Sequence, residues 1–237
     1  MCTFTFLPLS PNEFIATSNR DEQPDRSAND LIPFLTGNGL KLLFPKDPKA
    51  GGTWLATSAD NRLVTVLNGA FERHQRKPFY RRSRGLMVLD FFEYPSAQQF
   101  LHSYDFTEIE PFTMIIYDKG NLIEYRWDGD MQHIKPLRAD VPQLWSSPTL
   151  YTAEARARRQ EWFEIWLSEK HPFTQSNILH FHANTGKDDL HNGLVMNRFN
   201  MVKTVSITSI HKTVDAFEWH YQNLVTPQVL TQTLSID

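Results

Sequence analysis

The sequence predicts an α+β protein in which antiparallel sheets are covered by helices. Runs rich in β-formers come in pairs separated by short turn-rich segments, and helical segments cluster between two strand-rich regions. The strand–helix–strand alternation that builds a parallel sheet is missing. At 237 residues and 41% hydrophobic content the chain is long enough for one sizeable domain, expected over residues 1–237.

Residues 2–7 and 14–19 read as a hairpin whose loop, Pro8-Leu9-Ser10-Pro11-Asn12, holds two prolines. Symmetric pairing about residues 10 and 11 sets Cys2 opposite Asn19, with Arg20 one step away. Residues 23–50, rich in Pro, Asp, Asn and Lys, read as a long irregular excursion with one short strand, and loops of that length are often functional. Gly51-Gly52 launches a strand over 53–58, a turn follows at Ala59-Asp60-Asn61, and residues 62–68 alternate as its partner, ending at Asn68-Gly69.

Helices are expected over 83–94 and 97–103, broken at Pro95 with Ser96 as cap. Strands over 112–117 and 121–127 flank Asp118-Lys119-Gly120, a three-residue loop ending in Gly, and another strand runs through 132–136. The best helix starts after Thr152 and reaches about Lys170. Its Ala155, Trp162, Phe163, Trp166 and Leu167 form a core stripe opposite Arg156, Arg158, Arg159 and Glu164. A short helix ends at 178–182, a β-branched strand spans 201–210, and 214–224 returns toward the sheet.

A net charge of −3 argues against a general polyanion binder, so nucleic acid is not an expected partner. The single cysteine makes no internal disulfide and fits a reducing, cytoplasmic setting, and paired Cys/His zinc spacing is missing. No apolar run approaches membrane-spanning length.

Two readings of Cys2 stand side by side. It sits directly behind Met1, so removal of that methionine would make it an N-terminal cysteine whose own α-amine, with a pKa near ~7.7–8.0, can act as base for the thiol. It is equally a small apolar residue opening a strand. Ser18-Asn19-Arg20-Asp21-Glu22 weights the first reading, because an Arg favours a thiolate, a carboxylate can hold an amine and an amide can stabilise an oxyanion. Asn68, followed by Gly69, is a further oxyanion donor candidate.

From Arg73 to Arg84 six basic residues interleave with His74, Phe79 and Tyr80, which suits an anionic group and suits a surface loop entering a helix equally well. His171, His180, His182 and His191 have no carboxylate or cysteine at ligand spacing, so they read as satisfied or surface histidines and no metal is expected. Gly37-x-Gly39 and Gly51-Gly52-Thr53 lack the rest of any phosphate-binding fingerprint and read as turns. No cofactor is expected.

At Met1-Cys2-Thr3, Ser18 to Glu22, Ala50-Gly51-Gly52-Thr53-Trp54, Asn68-Gly69 and Lys203 to Thr208, the sequence resembles the NRDE-motif family, also called the transport-and-Golgi-organisation family. The resemblance implies an Ntn-hydrolase-like fold, a four-layer αββα sandwich of two mainly antiparallel sheets. It also implies a distant kinship with cholylglycine hydrolases and penicillin V acylases, which cleave linear amides with a processed N-terminal Cys. Carried over, Cys2 is the nucleophile, Arg20 holds the thiolate, Asp21 the amine and Asn68 the oxyanion. Asn19, Glu22 and Trp54, within the same motifs, are the expected substrate contacts. The amidase relatives place Arg and Asp three apart, whereas here they are adjacent, and Ser146-Ser147 stands where those relatives have a second Asn. The expected partner is a small-molecule amide. The family also implies a second class, a non-catalytic carrier of haem or of a hydrophobic acyl anion.

Overall fold

The computed structural model describes residues 3–237. In chain order its strands are β1 (Thr3–Ser10), β2 (Glu13–Glu22), β3 (Leu31–Leu35), β4 (Lys41–Pro45), β5 (Leu55–Ser58), β6 (Arg62–Asn68) and β7 (Phe112–Asp118). They continue as β8 (Asn121–Trp127), β9 (Gln132–Leu137), β10 (Gln143–Ser146), β11 (Asn197–Arg198), β12 (Val202–Lys212), β13 (Ala216–Asn223) and β14 (Gln228–Ser235). The helices are α1 (Arg84–Phe91), α2 (Ala97–Ser103), α3 (Ala153–Ser168) and α4 (Gln175–Asn184). One sheet runs β10-β1-β2-β12-β13-β14 with β11 beside β12, and the other runs β3-β4-β5-β6-β7-β8-β9. Pairing within both is antiparallel.

The layers follow from alternation along single strands. On β1 and β2, Phe4, Phe6, Phe14 and Ala16 face the second sheet and join Leu42, Val64, Ile116 and the α1 and α2 residues Phe91 and Phe100 in the main core. Leu7 and Ile15 point the other way, into a second cluster with Phe163, Trp166, Ile178 and Phe181 of α3 and α4. This is the αββα sandwich. Two indoles bond across the interior: Trp219 Nε1 donates to Thr57 Oγ1 at 3.0 Å, and Trp145 Nε1 to Glu124 Oε2 at 2.7 Å. Each helix begins on a hydroxyl cap, Ser83, Ser96, Thr152 or Thr174, which accepts the amide three residues on.

Several expectations change. The first hairpin closes through a tight turn at Pro11-Asn12 with an irregularity between Pro8 and Ser10, so Thr3 rather than residue 2 lies opposite Asn19. The 23–50 excursion carries two strands, β3 and β4, and a 3-10 turn at Pro24–Arg26. The edge strands β10 and β14 lie outside the expected set. Arg159, assigned to the solvent side of its helix, is fully buried. Its guanidinium lies 3.5 Å from the Tyr151 ring and donates to Thr3 Oγ1 and to the carbonyls of Asn192 and Gly193, so burial costs it no hydrogen bond. Among the described residues no helix is long and apolar enough to cross a membrane.

Candidate active site

Alternation carries through the last turn of β2 and sorts the Asn19-Arg20-Asp21 run onto two faces. Asn19 and Asp21 point toward the α3 and α4 layer, and Arg20 points between the sheets. A bulge in β12, where Thr204 pairs Asp21 and Ser206 pairs Arg20, leaves that sorting intact.

Arg20 is 4% exposed. One terminal nitrogen donates to Asp47, the other to the Arg26 carbonyl, and the guanidinium lies 3.8 Å from the Trp54 ring centre. Asp47 is itself fixed by a turn: its Oδ1 accepts Lys49 N and Ala50 N at 2.9 Å each, and its Oδ2 also accepts Arg26 Nη2 at 2.6 Å. Burial opposes ionisation of Asp47. The Arg26 hydrogen bond, the Ala50 amide and the Arg20 charge outweigh that and hold its carboxyl below the usual carboxylate range. For Arg20 burial is the stronger influence and lowers its pKa, against the pull of Asp47 and Glu22. Glu22 is half-buried and pairs with Arg26 at 2.8 Å.

These groups line a cavity of about 630 Å³, within the ~300–1,000 Å³ common for small-molecule sites. Its floor holds Trp54, Val66 and Asn68, and its opposite wall is the 76–85 segment. Gly52 makes the floor possible by lying against Gly85 at the start of α1, where Thr53 N donates to Gly85 O at 3.0 Å. Asn68 is anchored from outside, its carbonyl accepting Ser147 Oγ at 2.7 Å. Ser147, in the stretch where the amidase relatives carry an Asn, therefore positions the end of β6.

On the other face Asp21 Oδ2 accepts the Tyr151 hydroxyl and Oδ1 the Thr204 hydroxyl, both at 2.5 Å. Asn19 is fully buried and donates to the carbonyls of His182 and Leu194 at 3.1 and 2.6 Å. That leaves its Oδ1 to accept His182 Nδ1–H at 2.6 Å, so Nε2 accepts the Thr5 hydroxyl at 2.8 Å. Burial, then the Arg159 charge, push the His182 pKa down to about 3, so the ring is neutral near pH 7.

The structure thus gathers Arg20, Glu22, Trp54 and Asn68 around one cavity and turns Asn19 and Asp21 away from it. Asn19, read as a substrate contact, spends its amide inside the fold. Cys2 lies outside the described residues. Asp47, Arg26 and Tyr151 escaped the sequence reading, and Thr204 and Arg159 entered it without the partners they have here. Only Asp47 left a local signal, because Asp-Pro-Lys-Ala-Gly is a turn in which the carboxylate caps the amides two and three residues on. Among the described residues no group of His, Cys, Asp and Glu could hold a metal ion.

The two helix-covered antiparallel sheets define an Ntn-hydrolase-like fold, and solved structures share it. Two variants of the conjugated bile acid hydrolase from Clostridium perfringens align over 100% of this chain and 97% of theirs, with TM-scores of 0.56 and 0.55 at 9% identity. The Caenorhabditis elegans orthologue of N-acylethanolamine-hydrolyzing acid amidase aligns over 88% of this chain and 92% of its own, at TM-score 0.52 and 13% identity. Residues 1–213 match the Transport and Golgi organisation 2 family, and the chain belongs to it. Sequence comparison with curated proteins gives no match.

Proposed function

We propose that the protein is an N-terminal-nucleophile hydrolase that uses Cys2 to cleave a linear amide of a small molecule. The observation that supports this most is the meeting of Arg20, Trp54 and Asn68 around one cavity at the end of β2 that pairs with the start of β1. Removal of Met1 frees the Cys2 amine. That amine takes the thiol proton, and sulfur attacks the amide carbonyl carbon to form a C–S bond while the carbonyl oxygen becomes an oxyanion beside Asn68. The C–N bond then breaks, the proton passes from the ammonium to the leaving amine, and a thioester remains. Water, deprotonated by the same amine, adds to the thioester; the acid leaves and the thiol is restored.

The two-faced placement of Arg20 and Asp21 accommodates this chemistry. The thiol and the α-amine of an N-terminal cysteine leave one Cα in different directions, so they can take their counter-charges from different sides. In this reading Arg20 serves the sulfur, and Asp21, steadied by Tyr151 and Thr204, serves the amine.

The binding-only reading draws on a different observation: Arg20 is already engaged by Asp47 and by the Arg26 carbonyl, an arrangement that suits a ligand carrier as well as a catalyst. Hydrolysis of a panel of linear N-acyl amides, followed by amine release, separates the two. The hydrolase reading expects turnover that Cys2→Ala lowers by about 10³-fold or more. Saturable ligand binding with no turnover across the panel would establish the carrier instead.

A further inference from the structure

We propose that the cavity takes an amphiphilic anion, its carboxylate or phosphate group docking on Arg76 and Lys77 while its apolar body runs past Phe79 and Tyr80 toward Trp54. The inference rests on reading this cavity as the ligand site, and it holds for a hydrolase and for a carrier alike.

Ion pairing around the cavity leaves those two cations over. Arg20 and Arg26 are balanced by Asp47 and Glu22. Lys49 pairs with Asp25, and Arg82 is held by Asp90 through two donors. Glu110 has one negative charge and three basic neighbours: Arg84 Nη2 at 3.0 Å, His74 Nε2 at 3.2 Å and Arg76 Nε only at 4.0 Å. The closer Arg84 takes most of that charge, and its other terminal nitrogen donates to the Pro111 carbonyl at 3.0 Å. Arg76 is therefore underpaired, and Lys77 has no ion pair among the described residues. Both line the cavity.

The segment that carries them is held at its ends, at His74 by Glu110 and at Arg81 by Glu108. Arg81 N donates to Glu108 O at 2.9 Å, and within the loop Lys77 N donates to the Tyr80 hydroxyl at 2.9 Å. A loop held at both ends and carrying two adjacent surplus cations offers an anion site. The apolar side of the recognition is equally visible. Phe79 is 71% exposed at the mouth, and the Trp54 indole N–H on the floor is buried with no acceptor among the described residues, a donor that a ligand oxygen would satisfy.

The test uses N-dansylglycine, whose sulfonamide an acyl hydrolase does not cleave, against neutral N-(2-hydroxyethyl)dansylamide, which has no acyl bond, with binding read from dansyl fluorescence on the full chain. Wild type should bind the carboxylate probe roughly tenfold more tightly than the alcohol, and Arg76→Gln/Lys77→Gln should abolish that preference. Both side chains are exposed, so this variant folds. Arg73→Gln, which removes a charge outside the cavity, should leave the preference intact. Competition at constant ionic strength identifies the head group: displacement by inorganic phosphate but not acetate assigns a phosphate, and displacement by acetate as well assigns a carboxylate. Equal affinity for the two probes, no binding of either, a preference that survives the double substitution, or no competition by either anion would overturn the proposal. Because neither probe is turned over and Cys2→Ala should bind both as wild type does, these outcomes are independent of whether the protein is a hydrolase.

Discussion

His182 shows how one buried side chain ties stability to pH. The neutral ring is held by Asn19 and Thr5, and its pKa of about 3 in the fold compares with 6.5 in an unfolded chain. Below pH 6.5 the unfolded state binds a proton that the folded state refuses, so stability is full above 6.5 and falls as the pH drops toward 3. His220 on β13, also held down by burial, contributes with the same sign. The expected slope for His182 is about 1.4 kcal/mol for each pH unit below 6.5, before carboxylates begin to titrate. Urea denaturation between pH 7 and 5 measures it, and His182→Gln, although less stable, should lose most of that slope. An unchanged slope in the variant would mean that the ring is charged in the fold.

At the scale of elements, the contact between the start of β5 and the start of α1 sets the cavity floor, and two adjacent glycines there have different reasons to be glycine. Gly51 has φ +73° with open space around it, so a methyl group costs about 1 kcal/mol of backbone strain. Gly52 has no such dihedral, but a Cβ there would stand 2.3 Å from the Gly85 carbonyl carbon, which is backbone and cannot step aside cheaply. Gly52→Ala should therefore cost about 2–3 kcal/mol and displace Trp54, whereas Gly51→Ala should leave the floor in place. Thermal unfolding of the two variants checks the order. The hairpins over 53–68 and 112–127 and the Ser96 cap were legible because alternation and capping are local patterns. Arg159 was not, since a helical wheel places a polar residue in solvent and has no view of the Tyr151 ring and the Asn192 and Gly193 carbonyls that receive it. The Arg20–Asp47 pair was hidden for the same reason, as its partners meet across an irregular stretch.

Across the whole molecule the sandwich gives one strand, β2, two different neighbourhoods: a charged, aromatic cavity between the sheets and a buried polar network under the helices. Its adjacent residues Arg20 and Asp21 are thereby divided between the two. The motif runs, the fold class and the Arg20, Trp54 and Asn68 grouping could be read from the sequence and its resemblance. The division could not be completed from it, because the face each residue takes depends on a register that a turn irregularity moves by one. Cys2 is the chain's only cysteine, so alkylation reports on it alone and tests whether it is an activated nucleophile. The most direct measurement is the pH dependence of its alkylation rate by iodoacetamide on protein verified by intact mass to have lost Met1. An activated Cys2 gives an inflection at about pH 7.5 or lower, and an inflection near the ordinary thiol value of about 8.5 would rule out the nucleophile assignment.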